Sequence, residues 1–188
     1  MLTSATRIRF NSRHCPLRCL WLLVSLLSAH AATPAEAPTA DEYQIKAAYL
    51  YNFATFTEWP EPLSAQVLLC IYGPDPFGDT LDAALAGKAI GGRPLTIIRT
   101  NSVEGLPDCS MVFVSAAVIS NLPRVLDTLR GHSVLTVADS PDAAAAGVML
   151  NMLQQSNRIG FEANLGEARQ HRLSISLQLL RLATQVIN

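Results

Sequence analysis

Apolar, β-branched runs alternate with helical patterns through the middle of this chain. That alternation limits the fold more than any other feature. Residues 66–72, 94–99, 109–115 and 133–138 read as strands. The first is apolar throughout, as a central strand covered on both faces should be. Residues 79–86 form a short helical pattern stopped at Gly87, and 122–130 another, with Leu122, Val125, Leu126 and Leu129 on one face before Gly131. Strands separated by helices pair in parallel and take helical cover. Residues 147–153 and 158–162 then read as a β-hairpin joined by 154–157, which makes the sheet mixed. The expected fold is a layered α/β/α sandwich with a mostly parallel, mixed sheet.

A helix is expected on either side of this region. In 41–60, Asp41 and Glu42 favour a helix start, and Trp59-Pro60 favours a stop. Ile45, Tyr49, Asn52 and Phe56 share one face, flanked by Leu50, Phe53 and Ala54. The aromatic side chains predict a core helix; the sharper alternative is that part of it also meets a partner. From Asn164 to about Val186 the pattern predicts one long C-terminal helix. Leu173, Leu177 and Leu180 make one stripe, and Ile175, Leu179, Leu182 and Val186 another. A helix covering one side of a sheet needs a single stripe about 100° wide. The surplus predicts that one stripe packs on the sheet and the other faces a partner or a second copy.

The start of the chain reads as a secretory signal. Arg7, Arg9, Arg13 and Arg18 precede an apolar core at 20–27 and an A-x-A site at 29–31. That core is about half the ~20 residues a membrane span needs. Cleavage is expected near Ala31, with a proline- and alanine-rich spacer at 32–40 and one domain over 41–188. Removing 1–31 takes four arginines and no acid from fourteen basic and fifteen acidic residues. Ten basic then face fifteen acidic ones, a net charge of about −5, which argues against nucleic acid and anionic lipid. Cys15 and Cys19 leave with the signal; Cys70 and Cys109 remain. In an exported chain this pair reads as a disulfide, closing a loop of about 40 residues worth roughly 4 kcal/mol by chain entropy.

Catalytic signals are missing. Gly73-Pro-Asp-Pro-Phe-Gly78 stands where a dinucleotide loop would, but the glycine spacing is wrong and its prolines donate no N–H to phosphate. Gly87-Lys88 lacks the rest of a phosphate loop, and no Gly-x-Ser-x-Gly elbow occurs. His132 and His171 are too few and too far apart in sequence for a zinc site. No cofactor, metal or enzymatic activity is expected. A small-ligand receptor with a pocket at the strand ends near 74–78, feeding a sensor kinase or transporter, is the rival expectation.

Several segments together resemble the YfiR family of periplasmic regulators. They are KAAYLYNF (46–53) with FTEWP (56–60), CIYGPDPFG (70–78), GK with GRPL (87–95), VLTVAD (134–139), RIGFEANL (158–165) and LSISLQLLRLA (173–183). The resemblance covers nearly the whole chain after the spacer, the cysteine pair included. The family's second cysteine pair is absent, since Ala145 and Met152 occupy that region. The resemblance implies binding to the periplasmic sensory domain of an inner-membrane diguanylate cyclase, or of a sensor kinase. It implies repression of cyclic di-GMP synthesis and biofilm formation, and release by an outer-membrane lipoprotein. A homodimer is expected. The candidate partner surface is Phe161, Glu162, Asn164, Leu173, Ile175, Leu177, Leu179, Leu180 and Leu182. Tyr49, Phe53, Phe56 and Trp59 form a second candidate.

Overall fold

A central parallel sheet of alternating faces organises the chain. The computed structural model describes residues 40–60, 65–155 and 158–188. The expected signal peptide, and the spacer up to residue 39, lie outside the described residues.

The strands are β1 (Thr57–Glu58), β2 (Val67–Tyr72), β3 (Ala89–Ile90), β4 (Arg93–Thr100), β5 (Met111–Val114), β6 (Leu135–Ala138), β7 (Leu150–Gln155), β8 (Arg158–Asn164), β9 (Ser174–Ile175) and β10 (Gln185–Ile187). The helices are α1 (Ala40–Thr55), α2 (Asp79–Leu85), α3 (Leu122–Thr128), α4 (Leu165–Gln170) and α5 (Leu177–Leu180). The eight-stranded sheet runs β10-β8-β7-β6-β5-β2-β4-β3, and β1 pairs with β9 apart from it. Strands β4, β2, β5, β6 and β7 are parallel; β7–β8 is an antiparallel hairpin, and β3–β4 is also antiparallel. Strand β2 thus lies between β4 and β5, as the first parallel strand does in doubly wound folds. The fold is α/β with a mostly parallel, mixed sheet, as the strand–helix alternation implies.

Strand alternation sorts the core into two layers. Leu69, Ile71, Met111, Phe113, Leu135 and Val137 meet α1 and α2 through Leu50, Phe53, Leu81 and Leu85. Cys70, Tyr72, Val112, Val114 and Ala138 meet α3 through Leu122, Val125 and Leu129. The Cys70–Cys109 disulfide lies in this second layer, with Cα atoms 6.1 Å apart.

Helix α1 is rotated from its expected face. Ala47, Leu50, Phe53 and Ala54 are buried, whereas Ile45 is 49% exposed and Asn52 lies at the surface. Small Ala47 and Ala54 let the helix axis come close to the sheet, and the i, i+3, i+4 set through Leu50 takes the core. The helix also ends earlier than Trp59-Pro60, because Thr57–Glu58 leave it to pair with Ile175 and Ser174.

The single long C-terminal helix expected over 164–186 does not form. Asn164 caps α4 by accepting a bond from the Glu167 N–H. Arg172 takes a left-handed φ of 61°, which stops continuation. Ser174–Ile175 then pairs as β9, Ser176 caps the short α5 through Gln178 N–H, and β10 lies parallel to β8. Leu173, Leu177 and Leu180 fit helical spacing, but the Ser176 hydroxyl makes a local bond, accepting from Gln178 N–H, of the kind that competes with a helix. The Thr184 hydroxyl and N–H both donate to Phe161 C=O, at 2.9 and 2.8 Å.

Candidate functional site

The C-terminal candidates divide by burial, not along the two expected stripes. Leu173, Ile175 and Leu179 are buried in the α1 layer, and Leu180 is half-buried. Leu177 and Leu182 are 72% and 70% exposed. Each expected stripe therefore contains both core and surface positions, because the backbone turns between them. Phe161 is fully buried, with its ring centroid 5.1 Å from Phe53 and 5.7 Å from Tyr49. It belongs to the core and is not itself accessible.

Glu162 and Asn164 do not form a polar rim around those leucines. Strand alternation sends them to the opposite side from Phe161 and Ala163. Asn164 is buried and donates to Ala144 C=O at 2.9 Å while capping α4. Glu162 accepts from Asn151 Nδ2 at 3.2 Å; the same amide donates to Ser140 C=O at 2.9 Å. The polar neighbour of the exposed leucines is Arg181, one helical turn after Leu177 and next to Leu182. It is exposed and makes no salt bridge within 4.0 Å among the described residues.

The aromatic helix offers less surface. Phe53 is core. Tyr49 is half-buried and donates its hydroxyl to Ile159 C=O at 3.0 Å. Trp59 donates its indole N–H to Ser110 C=O at 3.3 Å, and Phe56 is half-buried.

A buried ionic cluster escaped the sequence reading. Lys46 Nζ lies 2.6 Å from Glu42 Oε1 and 2.7 Å from Asp139 Oδ2, and Tyr43 donates to the same Asp139 oxygen at 3.2 Å. The Lys46 and Asp139 side chains are almost completely buried. Burial, reinforced by the Asp139 charge, raises the Tyr43 phenol well above its usual range. The cluster pins the start of α1 to the end of β6. Its one legible signal was the Glu42–Lys46 spacing on a helix; the Asp139 partner depends on topology.

Residues 74–78 form the turn where a receptor pocket was expected. Arg99 closes over this turn, with Nε 2.7 Å from Asp75 Oδ2 and a second salt bridge to Asp82, while Phe77 is buried. A shallow cleft of about 360 Å³ lies beyond the ends of β5 and β6, lined by Ile119, Leu122, Pro123, Pro141, Asp142 and Ala146 among others. Among the described residues no three His, Cys, Asp or Glu side chains converge as metal ligands would. No helix among them is long and apolar enough to cross a membrane.

Two solved structures share the fold. A conserved domain protein from Vibrio cholerae aligns with a TM-score of 0.55 at 8% identity, covering 77% of this chain and 60% of its own. An ABC domain in complex with L-Trp, from Streptococcus pneumoniae, aligns with a TM-score of 0.52 at 10% identity, covering 75% and 62%. The chain thus spans about three-fifths of the length of each, and identities this low carry the fold alone. The YfiR/HmsC-like family model matches residues 43–184, from the tyrosine of the ionic cluster to the threonine that ties the C-terminal segment to β8. With the match running through both core layers and the exposed leucines, this chain belongs to the YfiR/HmsC-like family of periplasmic regulators in cyclic di-GMP signalling.

Proposed function

We propose that this protein represses an inner-membrane diguanylate cyclase by binding its periplasmic sensory domain, lowering cyclic di-GMP and biofilm formation. The observation that carries the reading is the pair Leu177 and Leu182, left 72% and 70% exposed beside Arg181 within a family domain. Large apolar side chains at the surface with a cationic neighbour suit a partner that offers an apolar patch and a carboxylate. Repression is then a population shift. The regulator binds the inactive receptor state better, and its differential affinity sets how far the equilibrium moves. An outer-membrane lipoprotein that competes for the same surface would relieve it, and a sensor kinase could take the cyclase's place as receptor. Deleting the gene should raise cyclic di-GMP only in cells that keep the partner cyclase. An equal rise in cells lacking that cyclase would contradict the reading.

A second reading, a small-ligand module, is favoured by the cleft at the ends of β5 and β6. One structural relative is an ABC domain that holds L-Trp. A thermal-shift screen of amino acids, repeated on Ala146→Arg at an exposed position of the cleft, checks this reading: a hit lost in the variant supports it, and no hit removes it.

A further inference from the structure

The cleft beyond β5 and β6 is bounded on one side by 119–123, at the start of α3, and on the other by 141–146. The carboxyl ends of the strands are where open α/β sheets bind their ligands. A volume of about 360 Å³ suits a small molecule. Ile119, Leu122, Pro123, Pro141 and Ala146 make the walls apolar, and Asp142 is the one charged residue among the described residues that line it. Asp142 is exposed, and among the described residues its carboxylate makes no salt bridge. Arg124, which adjoins Pro123, is turned to Glu104 at 3.1 Å.

The rim around Asp142 is fixed by its own backbone bonds. Asp142 holds a left-handed φ of 60°, which is uncommon for any residue with a side chain. Strain of that kind gathers at functional positions. Its C=O accepts from Ala146 N–H at 2.9 Å, and Asn164 ties down the next turn by donating to Ala144 C=O at 2.9 Å. Ser140 lies just before these residues. Asp139 points to Lys46 on α1, so alternation sends Ser140 to the other side, where α3 and the cleft lie. Ser140 is buried, its N–H and C=O are both bonded to the Asn151 side chain, and its hydroxyl has no partner. A buried polar atom left in that state calls for a reason. A polar ligand atom at the floor of the cleft would supply one.

We propose that this cleft binds a small primary amine with an apolar body, its ammonium on the Asp142 carboxylate and its body against Ile119, Leu122 and Pro141. The proposal deepens the small-ligand reading of the cleft and rests on it. Charge sets the ligand class. An ammonium finds a carboxylate partner in Asp142. A ligand carboxylate would meet that same carboxylate and no basic side chain among the described lining residues, so acids and amino acids are disfavoured against an amine of the same body. The isoleucine, leucine and proline walls hold the body by taking its apolar surface out of water.

The test is an amide NMR titration of the protein, secreted to the periplasm and purified, with compounds that share one apolar body: phenethylamine, phenethyl alcohol, phenylalanine and phenylpropionate. Phenethylamine should shift the amides of Ser120, Asp142 and Ala146 saturably. It should bind at least about tenfold more tightly than phenylalanine or phenylpropionate. Asp142→Asn removes the charge, and asparagine tolerates the left-handed φ. This variant should keep the native circular dichroism and bind phenethylamine no better than phenethyl alcohol, whose own affinity should not change. Phenylalanine or phenylpropionate binding as tightly as phenethylamine overturns the amine assignment and leaves the small-ligand reading standing. Native-like amine affinity in Asp142→Asn does the same. Shifts with none of the compounds overturn both.

Discussion

At the scale of single residues, the most consequential side chain is Lys46. It holds two carboxylates, those of Glu42 and Asp139, in nearly dry surroundings. Removing one partner of a buried pair leaves an uncompensated charge. Lys46→Ala should therefore lower stability by about 3–5 kcal/mol in urea unfolding. Lys46→Ala combined with Asp139→Asn should recover part of that loss; no recovery would show that Lys46 acts through packing alone. Tyr43 gives a pH signature. Its folded-state pKa lies above the unfolded value of 10.0. Its contribution to stability is thus fully present below pH 10 and lost as pH rises toward the folded pKa. Native protein should lose stability above pH 10 more steeply than Tyr43→Phe, measured as the difference between their unfolding free energies.

At the scale of elements, the C-terminal segment is held by close fits. A Cβ on Gly160 would lie 2.7 Å from Thr184 Cγ2, and Thr184 is fixed by its bonds to Phe161 C=O. Gly160→Ala should cost about 1–3 kcal/mol through overpacking and raise amide exchange in β10 while β2 and β5 stay protected. Unchanged β10 exchange would mean that Thr184 yields freely. This segment is also where sequence reading failed. Strands β2, β4, β5 and β6 were legible because short apolar and β-branched runs set between helical patterns leave few alternatives. Leu173 to Val186 was not, because leucines at three- and four-residue spacing also arise when a chain alternates between one-turn helices and two-residue strands. What decided the matter was pairing with β1 and β8, neither near in sequence. The candidate surface was legible in the same partial way. Leu177 and Leu182 stood among the named residues, but burial of Phe161, Leu173, Ile175 and Leu179, and the capping role of Asn164, depended on backbone turns that spacing does not encode.

At the scale of the whole molecule, the disulfide holds the fold and the exposed leucines form the proposed partner surface. Cys70 and Cys109 tie β2 to the approach to β5 across 39 residues. Cys70→Ala with Cys109→Ala should lower stability by about 2–5 kcal/mol, and thiol labelling of denatured, unreduced native protein should find no free cysteine. The partner surface is separable from that framework, since Leu177 and Leu182 contribute little to the core. Leu179→Glu should unfold the protein, because an unpaired charge would enter the α1 layer. The most direct test of the regulatory account is calorimetric titration of purified protein into the periplasmic domain of the partner cyclase. Native protein should bind, and Leu177→Glu and Leu182→Glu should each keep the native circular dichroism and unfolding midpoint yet bind at least about tenfold more weakly. Native-like affinity in both variants would contradict the account and move the contact away from the C-terminal surface.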